Sequence, residues 1–414
     1  MIRLGLDNVR RALAFSGHPE EAFASVLIAG TNGKGSVSAL VESAARAAGL
    51  RTGQYTSPHL VDVRERVRVD GVKIPAAAWK RLMSEIDGNP GPSLTEFERQ
   101  TVLAFRYFAE RRVELAVVEV GLGGRLDAAN ALPAPEVCVL ASVGHDHREW
   151  LGPTLREVYF EKRAIARPGT LLVQAPPRSL WAVGDRDLIK QGVPFWTLDR
   201  DLRAVPRGTD WTRRRQRFDV LFPGARYDGI ETGFLGAHQV RNGVLALAAC
   251  HRLRRRGWPM SEEAIRAGFA RAQWPGRFQV IPGVGGRPDT ILDGAHNREA
   301  AEALAVAYRA SPWGRRPATL IFGCLKDKDA VAMIRALRPL VRRVFLVPLP
   351  TPRSRSTGEL RRLWKGIETT EAASAADAAG EASRRARSDG GPVLAAGSLY
   401  LVGEVMKVLR RMPS

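Results

Sequence analysis

The chain is poor in cysteine, in long apolar runs and in acidic residues relative to basic ones. Cys138, Cys250 and Cys324 are the only cysteines among 414 residues. They are odd in number and far apart, which excludes a complete disulfide framework and any metal-ligand spacing. Such sparse use points to a reducing cytoplasm. No run of about eighteen apolar residues occurs, so no membrane span is readable. Residues 1–15 lack the apolar stretch and small-residue cleavage site of a signal peptide. The chain is 45% hydrophobic and 26% charged, which excludes a disordered or collagen-like protein and suits one with separate domain cores.

The shortage of acid leaves 63 Lys and Arg against 43 Asp and Glu, a formal net charge of +20. A field of that sign attracts nucleic acid, acidic lipid or a polyanionic small molecule. Yet the basic clusters are short, as at Arg213, Arg214 and Arg215 or Arg254, Arg255 and Arg256, and acids are spread among them. No aromatic-basic strip and no zinc-finger spacing accompanies them. An arginine-rich solvated surface is the simpler reading, and it argues against nucleic acid.

What is present is alternation. Ala24 to Ala29 reads as a short buried strand ending at a glycine-rich turn. Val37, Leu40, Val41, Ala44, Ala45 and Ala48 then recur at helical spacing, with Gly49 placed to stop the helix. Leu115 to Val120 and Glu136 to Ser142 are continuous apolar runs of the kind found in parallel sheets, and Thr95 to Arg111 reads as helix between strands. A doubly wound α/β domain follows from this order. From Pro176 to Gly233 both signals thin out, and the segment reads as irregular or short-stranded. A second series begins near Phe278, with strands at Thr290 to Leu292, Ala318 to Phe322, Val344 to Val347 and Pro392 to Ala396 and helices between. The expected fold is therefore a P-loop parallel-sheet ATP-binding domain, residues 1–274, followed by a smaller Rossmann-like α/β domain, residues 275–414.

The turn itself is Gly30-Thr31-Asn32-Gly33-Lys34-Gly35-Ser36, between a strand and an amphipathic helix. Exposed N–H groups and the helix dipole favour a phosphate there. Lys34 reaches the β- and γ-phosphates of ATP as a point charge, and the Ser36 hydroxyl is an oxygen ligand of the kind Mg²⁺ takes. Gly35 separates Lys from Ser, unlike the usual spacing. Glu119 closes an apolar strand before another glycine turn, and ligand crevices of open α/β sheets lie at such strand ends, so its carboxylate is a candidate for Mg²⁺.

These residues, with others in the same order, carry a family resemblance. The loop with its extra glycine resembles the Mur ligase superfamily, and within it the folylpolyglutamate synthase/dihydrofolate synthase family. Tyr55-Thr56-Ser57-Pro58-His59-Leu60, Thr95-Glu96-Phe97-Glu98, Glu119-Val120-Gly121-Leu122-Gly123-Gly124-Arg125-Leu126-Asp127, Asp146-His147 and Glu161-Lys162 continue it. So do His238-Gln239 with Asn242, Trp274-Pro275-Gly276-Arg277, Asp293-Gly294-Ala295-His296-Asn297, Asp327-Lys328-Asp329 and Gly397-Ser398-Leu399-Tyr400.

The resemblance implies an ATP-dependent ligase that adds L-glutamate to dihydropteroate, a reduced folate, or both, through an acyl-phosphate. It implies His147 beside Ser36 and Glu119 at Mg²⁺, and a carbamylated Lys162 that helps hold a second Mg²⁺. Asn242, Arg277 and Asp293 then belong with the nucleotide, His296 and Ser398 with glutamate, and Ser57, His59 and Phe97 with the pterin. A monomer is expected. The chain departs from the family pattern at Arg163 and Ala164, and at Ala129 where Thr is usual. The rival readings are a Mur-type ligase with another acceptor and a nucleic-acid-binding P-loop ATPase. An inactive binding protein is opposed by intact Lys34, Ser36, Glu119 and Lys162.

Overall fold

The apolar run Ala24–Ala29 forms the strand its composition predicts, and every residue after Ala24 is buried. The computed structural model describes residues 4–88 and 91–411. Eight strands make the first sheet, in the order Val72–Lys73, Val67–Val69, Thr52–Tyr55, Leu115–Glu119, Ala24–Ala29, Val137–Leu140, Leu171–Gln174 and Phe195–Thr197. All neighbours are parallel except at the edge, where Val67–Val69 is antiparallel to the strand on each side of it. Register explains the site that follows. Ile28 pairs with Glu119 and Ala29 with Leu140, so three chains leave the sheet together at its carboxyl end.

Helix Lys34–Ala47 starts at Gly33, whose φ of 88° suits glycine. Its Val37, Leu40 and Val41 are buried in the core, each contributing roughly 1.5–3 kcal/mol by leaving water. Its other side meets helix Glu262–Arg271 at Gly268, where a Cβ would run into the Ala44 backbone. Helix Glu96–Glu110 opens on a Thr95–Glu98 capping box.

The stretch from Pro176 to Gly233, expected to be irregular or short-stranded, is stranded and carries a helix as well. It holds helix Trp181–Lys190 and a three-stranded antiparallel sheet of Arg203–Asp210, Arg215–Phe222 and Ala225–Thr232. The first of these strands is almost wholly exposed. With so little of it buried no apolar alternation marks it, and its Arg207 reaches across to Asp219. Phe218, Val220 and Phe222 supply the buried face that packs on helix Ala237–Arg255.

The last sheet runs Gln279–Ile281, Thr290–Leu292, Val393–Ala396, Ala318–Phe322, Val341–Leu346 and Glu368–Glu371, parallel except for its first pair. Two core clusters cover its faces. Among the described residues no helix is long and apolar enough to cross a membrane.

Candidate active site

The glycine loop is folded back on itself and on the strand beside it. Thr31 Oγ1 donates to the Gly144 carbonyl at 3.2 Å, and Asn32 N donates to Ser142 Oγ at 2.8 Å. Gly33 is held against Asn242, and Gly35 against the Trp274 ring, where a Cβ would come within 2.6 Å of ring carbon. The glycine between Lys34 and Ser36 is thus a packing requirement, and Trp274 a lid on the loop. Gly30 to Ser36, Ser57, Glu119, His147, Lys162, Asn242, Arg277, Asp293 and His296 line one cavity of about 270 Å³ between the two α/β bodies.

Charge in this cavity is concentrated and sheltered. Lys34 Nζ lies 3.0 Å from the Gly30 carbonyl and 3.7 Å from Glu119 Oε1. Glu119 is 3% exposed, and burial pushes its carboxyl up to about 7 although Lys34 and Arg277 pull the other way. Its Oε2 is buried without a hydrogen-bond partner. Lys162, also 3% exposed, directs Nζ to the Gly30 carbonyl at 3.3 Å. Burial and the neighbouring Lys34 bring its amine down to about 7. Asp146 is held well below the usual carboxylate range. Burial opposes this, but Lys328 and His147 outweigh it.

The C-terminal body closes the other side. Asp293 takes N–H bonds from Phe278 at 2.7 Å and Ala295 at 2.8 Å, while Asn297 caps helix Arg298–Arg309. Asp293 therefore braces the turn and faces Arg277 rather than capping the helix. His296 Nδ1 lies 2.8 Å from the Gly294 carbonyl. A carbonyl only accepts, so Nδ1 carries the proton and Nε2 keeps its lone pair. Burial takes this imidazole down to about 4, so it is neutral. Hydrogen bonds join the bodies here: a reciprocal amide pair between Asn32 and Asn297 at 3.2 and 3.1 Å, Asn297 Nδ2 on Asp146 Oδ2 at 3.4 Å, Lys328 Nζ on Asp146 Oδ1 at 2.6 Å, and His145 N on Glu299 Oε1 at 3.0 Å.

Comparison with known proteins decides between the readings. The Mur ligase middle domain matches residues 28–250, and the Mur ligase glutamate ligase domain matches residues 276–399. The dihydrofolate synthase/folylpolyglutamate synthase of Escherichia coli K12 is 36% identical over 410 residues, covering 99% of this chain and 92% of the relative. The chain belongs to this family of Mur ligases. Escherichia coli FolC, solved with DHPP and ADP, superposes with a TM-score of 0.87 at 31% identity, over 99% of this chain and 95% of that one. The Yersinia pestis bifunctional relative, solved with AMPPNP and a Mn ion, gives 0.84 at 29% identity, over 99% and 94%. The protein is an ATP-dependent amide ligase of glutamate-adding type, and ATP with a divalent metal is characteristic of its family. The nucleic-acid ATPase reading gains no support.

The donor set suits a hard divalent ion. Ser36 contributes a hydroxyl, Glu119 has an orphaned buried oxygen, and His147 lines the same cavity. Not every expected residue converges. Ser398 Oγ takes the Tyr400 N–H at 3.1 Å and lines neither this cavity nor the neighbouring one. His59 lines the neighbouring cavity and accepts from Arg66 Nε at 3.1 Å. Phe97 is partly buried, lies over Gly121 and is 5.9 Å from Tyr55, ring to ring.

The departures are harmless to the cavity. Arg163 is buried away from the cavity lining, where it pairs with Asp187 and lies over Phe160 at 4.5 Å. Ala129 is fully buried and gives Asp127 only a backbone N–H, which any residue supplies. Sequence reasoning assigned no role to Asp146, Lys328, His238 or Glu299. The first three stood inside the family segments, and Glu299 lies two residues beyond one.

Proposed function

We propose that the chain converts the carboxylate of dihydropteroate or a reduced folate into an acyl-phosphate and couples it to L-glutamate, as a monomer in the cytoplasm. The observation that carries this reading is the single cavity in which Lys34, Glu119, Lys162, Arg277 and His296 meet between the bodies of residues 1–274 and 275–414. Free, buried cysteines fit a reducing compartment.

A carboxylate does not yield an amide directly, because its oxygen is a poor leaving group. In the first step the acceptor carboxylate oxygen bonds to the γ-phosphorus of ATP, the bond to the β–γ bridging oxygen breaks, and ADP departs. Little covalent chemistry falls to the protein here, and its work is positioning and charge neutralisation. Lys34, Arg277 and the N–H groups of the loop serve that end. Ser36, Glu119 and His147 would hold Mg²⁺, with Lys162 as a carbamate helping to hold a second ion, and this charge would offset that on the transferring phosphoryl group. Asn242 and Asp293 stand on the nucleotide side. In the second step the glutamate amine bonds to the acyl carbon and phosphate leaves. His296 Nε2, neutral and unprotonated, accepts the amine's proton. Closure of the two bodies keeps water from the acyl-phosphate. Ser57 faces this cavity and Phe97 lies toward the pterin, while His59 stands on the acceptor side in the neighbouring cavity and Ser398 at the start of the helix beside the glutamate end.

The test is phosphate release with ATP and glutamate, supplying dihydropteroate or tetrahydrofolate in turn. Release is expected only when all three substrates are present, matched by a product one glutamyl residue heavier. Release that ignores acceptor and glutamate, or that DNA or RNA stimulates, overturns the reading.

A further inference from the structure

Next to the catalytic cavity lies a second one of about 460 Å³, and the lining is basic. Arg46, Arg68, Arg271 and Arg410 face it, from four different elements of both bodies. Glu42 and Glu65 are its only carboxylates among the described residues, and both are occupied. Glu42 accepts from Arg46 Nε at 3.1 Å and from Thr52 Oγ1 at 2.7 Å. Glu65 takes the N–H groups of Leu60, Val61 and Asp62 at 2.9, 3.3 and 3.2 Å.

The arginines are less well served. Arg68 spends Nε and one terminal nitrogen on the carbonyls of Glu65 and Gly71 at 3.2 and 3.4 Å. Arg271 and Arg410 have no carboxylate within ion-pair distance among the described residues, and both are exposed. Their places in the last turns of their helices suit the helix dipole. That preference does not explain why helices from two bodies aim them at one cavity. Arg277 lines both cavities and so marks where they join. Leu60, Trp274 and Met406 add an apolar wall.

We propose that this second cavity holds the oligo-γ-glutamate tail of a folate acceptor, with its α-carboxylates on Arg68, Arg271 and Arg410. The inference rests on the folate-ligase reading above. A γ-linked chain keeps one free α-carboxylate per residue, so its charge grows with length, and its methylenes suit the apolar wall. The γ-carboxylate to be activated sits at its end, beside Arg277. The planar fork of arginine matches a carboxylate. Dihydropteroate has no glutamyl residue, and so it is the internal reference.

The experiment compares the parent with Arg271→Gln/Arg410→Gln. Initial rates are measured with dihydropteroate and with a triglutamylated tetrahydrofolate, both at varied acceptor concentration. In the double variant the ratio of kcat/KM, triglutamate over dihydropteroate, falls about tenfold through KM. Exposed pairs are individually weak, and raising the salt weakens the same discrimination in the parent because the charges are screened over about 8 Å at physiological ionic strength. The double lysine variant restores part of the ratio. Isothermal calorimetry with free tetra-γ-glutamate provides a readout without turnover, and the parent binds it more tightly than the variant. An unchanged ratio, or equal loss on both acceptors, overturns the proposal. So does equal binding of tetra-γ-glutamate by both proteins. If the parent ligates no pteridine acceptor, the functional reading fails, and the calorimetry still decides the site.

Discussion

Lys328 Nζ lies 2.6 Å from Asp146 Oδ1, an ion pair across the two bodies with both side chains at most 10% exposed. Asp146 immediately precedes His147, so the C-terminal body touches the chain next to a candidate metal ligand. Breaking one side of a buried pair leaves the other charge stranded, a loss of about 3–5 kcal/mol. Lys328→Met is therefore expected to lower the unfolding midpoint clearly and to reduce kcat. Asp146→Asn in the same background should recover part of the stability, because the stranded carboxylate is gone. Differential scanning calorimetry of the two single variants and the double variant checks this. Additive losses would show that the pair does not couple the bodies.

Lys34→Ala should abolish ligation and leave the fold intact. The Nζ group is partly buried and bonds only loop carbonyls, with Glu119 at a looser 3.7 Å. Losing one preorganised electrostatic group of this kind costs about 10²–10³ in rate. Phosphate release near the parent's rate, in protein with an unchanged circular dichroism spectrum, would remove Lys34 from the chemistry.

Much of this site was legible because the phosphate end is built from local chain. Strand Ala24–Ala29, the glycine loop and helix Lys34–Ala47 are contiguous, and their apolar spacing survives burial on one face. Glu119 could be placed because a buried parallel strand announces its own carboxyl end. The exposed strand Arg203–Asp210 was not legible, since it is almost wholly in solvent and so carries no alternation of apolar and polar residues. Nor were the pairs Asn32 with Asn297 and Lys328 with Asp146, which join residues 265 and 182 positions apart. Only the packing of two bodies makes such contacts, and no local spacing encodes them. Ser398 was named by a family segment alone, and what the structure adds is that its Oγ accepts the Tyr400 N–H at the helix start.

The two buried titratable groups of the catalytic cavity predict opposite pH responses in metal-free protein. Burial raises Glu119 to about 7, above the ordinary value of about 4.3. Between those values the folded form keeps a proton that the unfolded form has lost, so this contribution is full at acid pH and disappears as pH rises through 7. Burial lowers Lys162 to about 7, below its ordinary value of about 10.4. The unfolded form then binds more protons between these values, and stability grows as pH rises toward 10. The midpoint difference between parent and Glu119→Gln should accordingly shift against the parent from pH 4.5 to 7. The difference between parent and Lys162→Met should shift in the parent's favour from pH 7 to 10. Thermal melts in chelator across that range check both signs. A flat difference curve for either variant would show that its group titrates normally.

The same Lys162 amine leads to the last prediction, that the working form is a carbamate. Only a neutral amine captures CO₂. With an amine brought down to about 7, roughly half is neutral at that pH, against a small fraction for a free lysine. Capture forms an N–C bond and releases a proton, so a cation becomes an anion with two oxygens. Such oxygens suit a hard divalent ion, and the new charge would lie beside Lys34, the neighbour that now disfavours the ammonium form. The adjacent Arg163 does not interfere, because its guanidinium pairs with Asp187 and lies over Phe160. Lys162→Arg keeps a positive charge of similar reach and cannot form the adduct. It should lose at least about 100-fold in kcat with bicarbonate present, and ¹³C-labelled bicarbonate should give the parent a carbamate resonance that this variant lacks. Stripping CO₂ from the buffer should slow the parent, and adding it back should restore the rate. If Lys162→Arg ligates glutamate at nearly the parent's rate, or if the resonance is absent from active parent, Lys162 acts as a plain cation and the carbamate has no place in this enzyme.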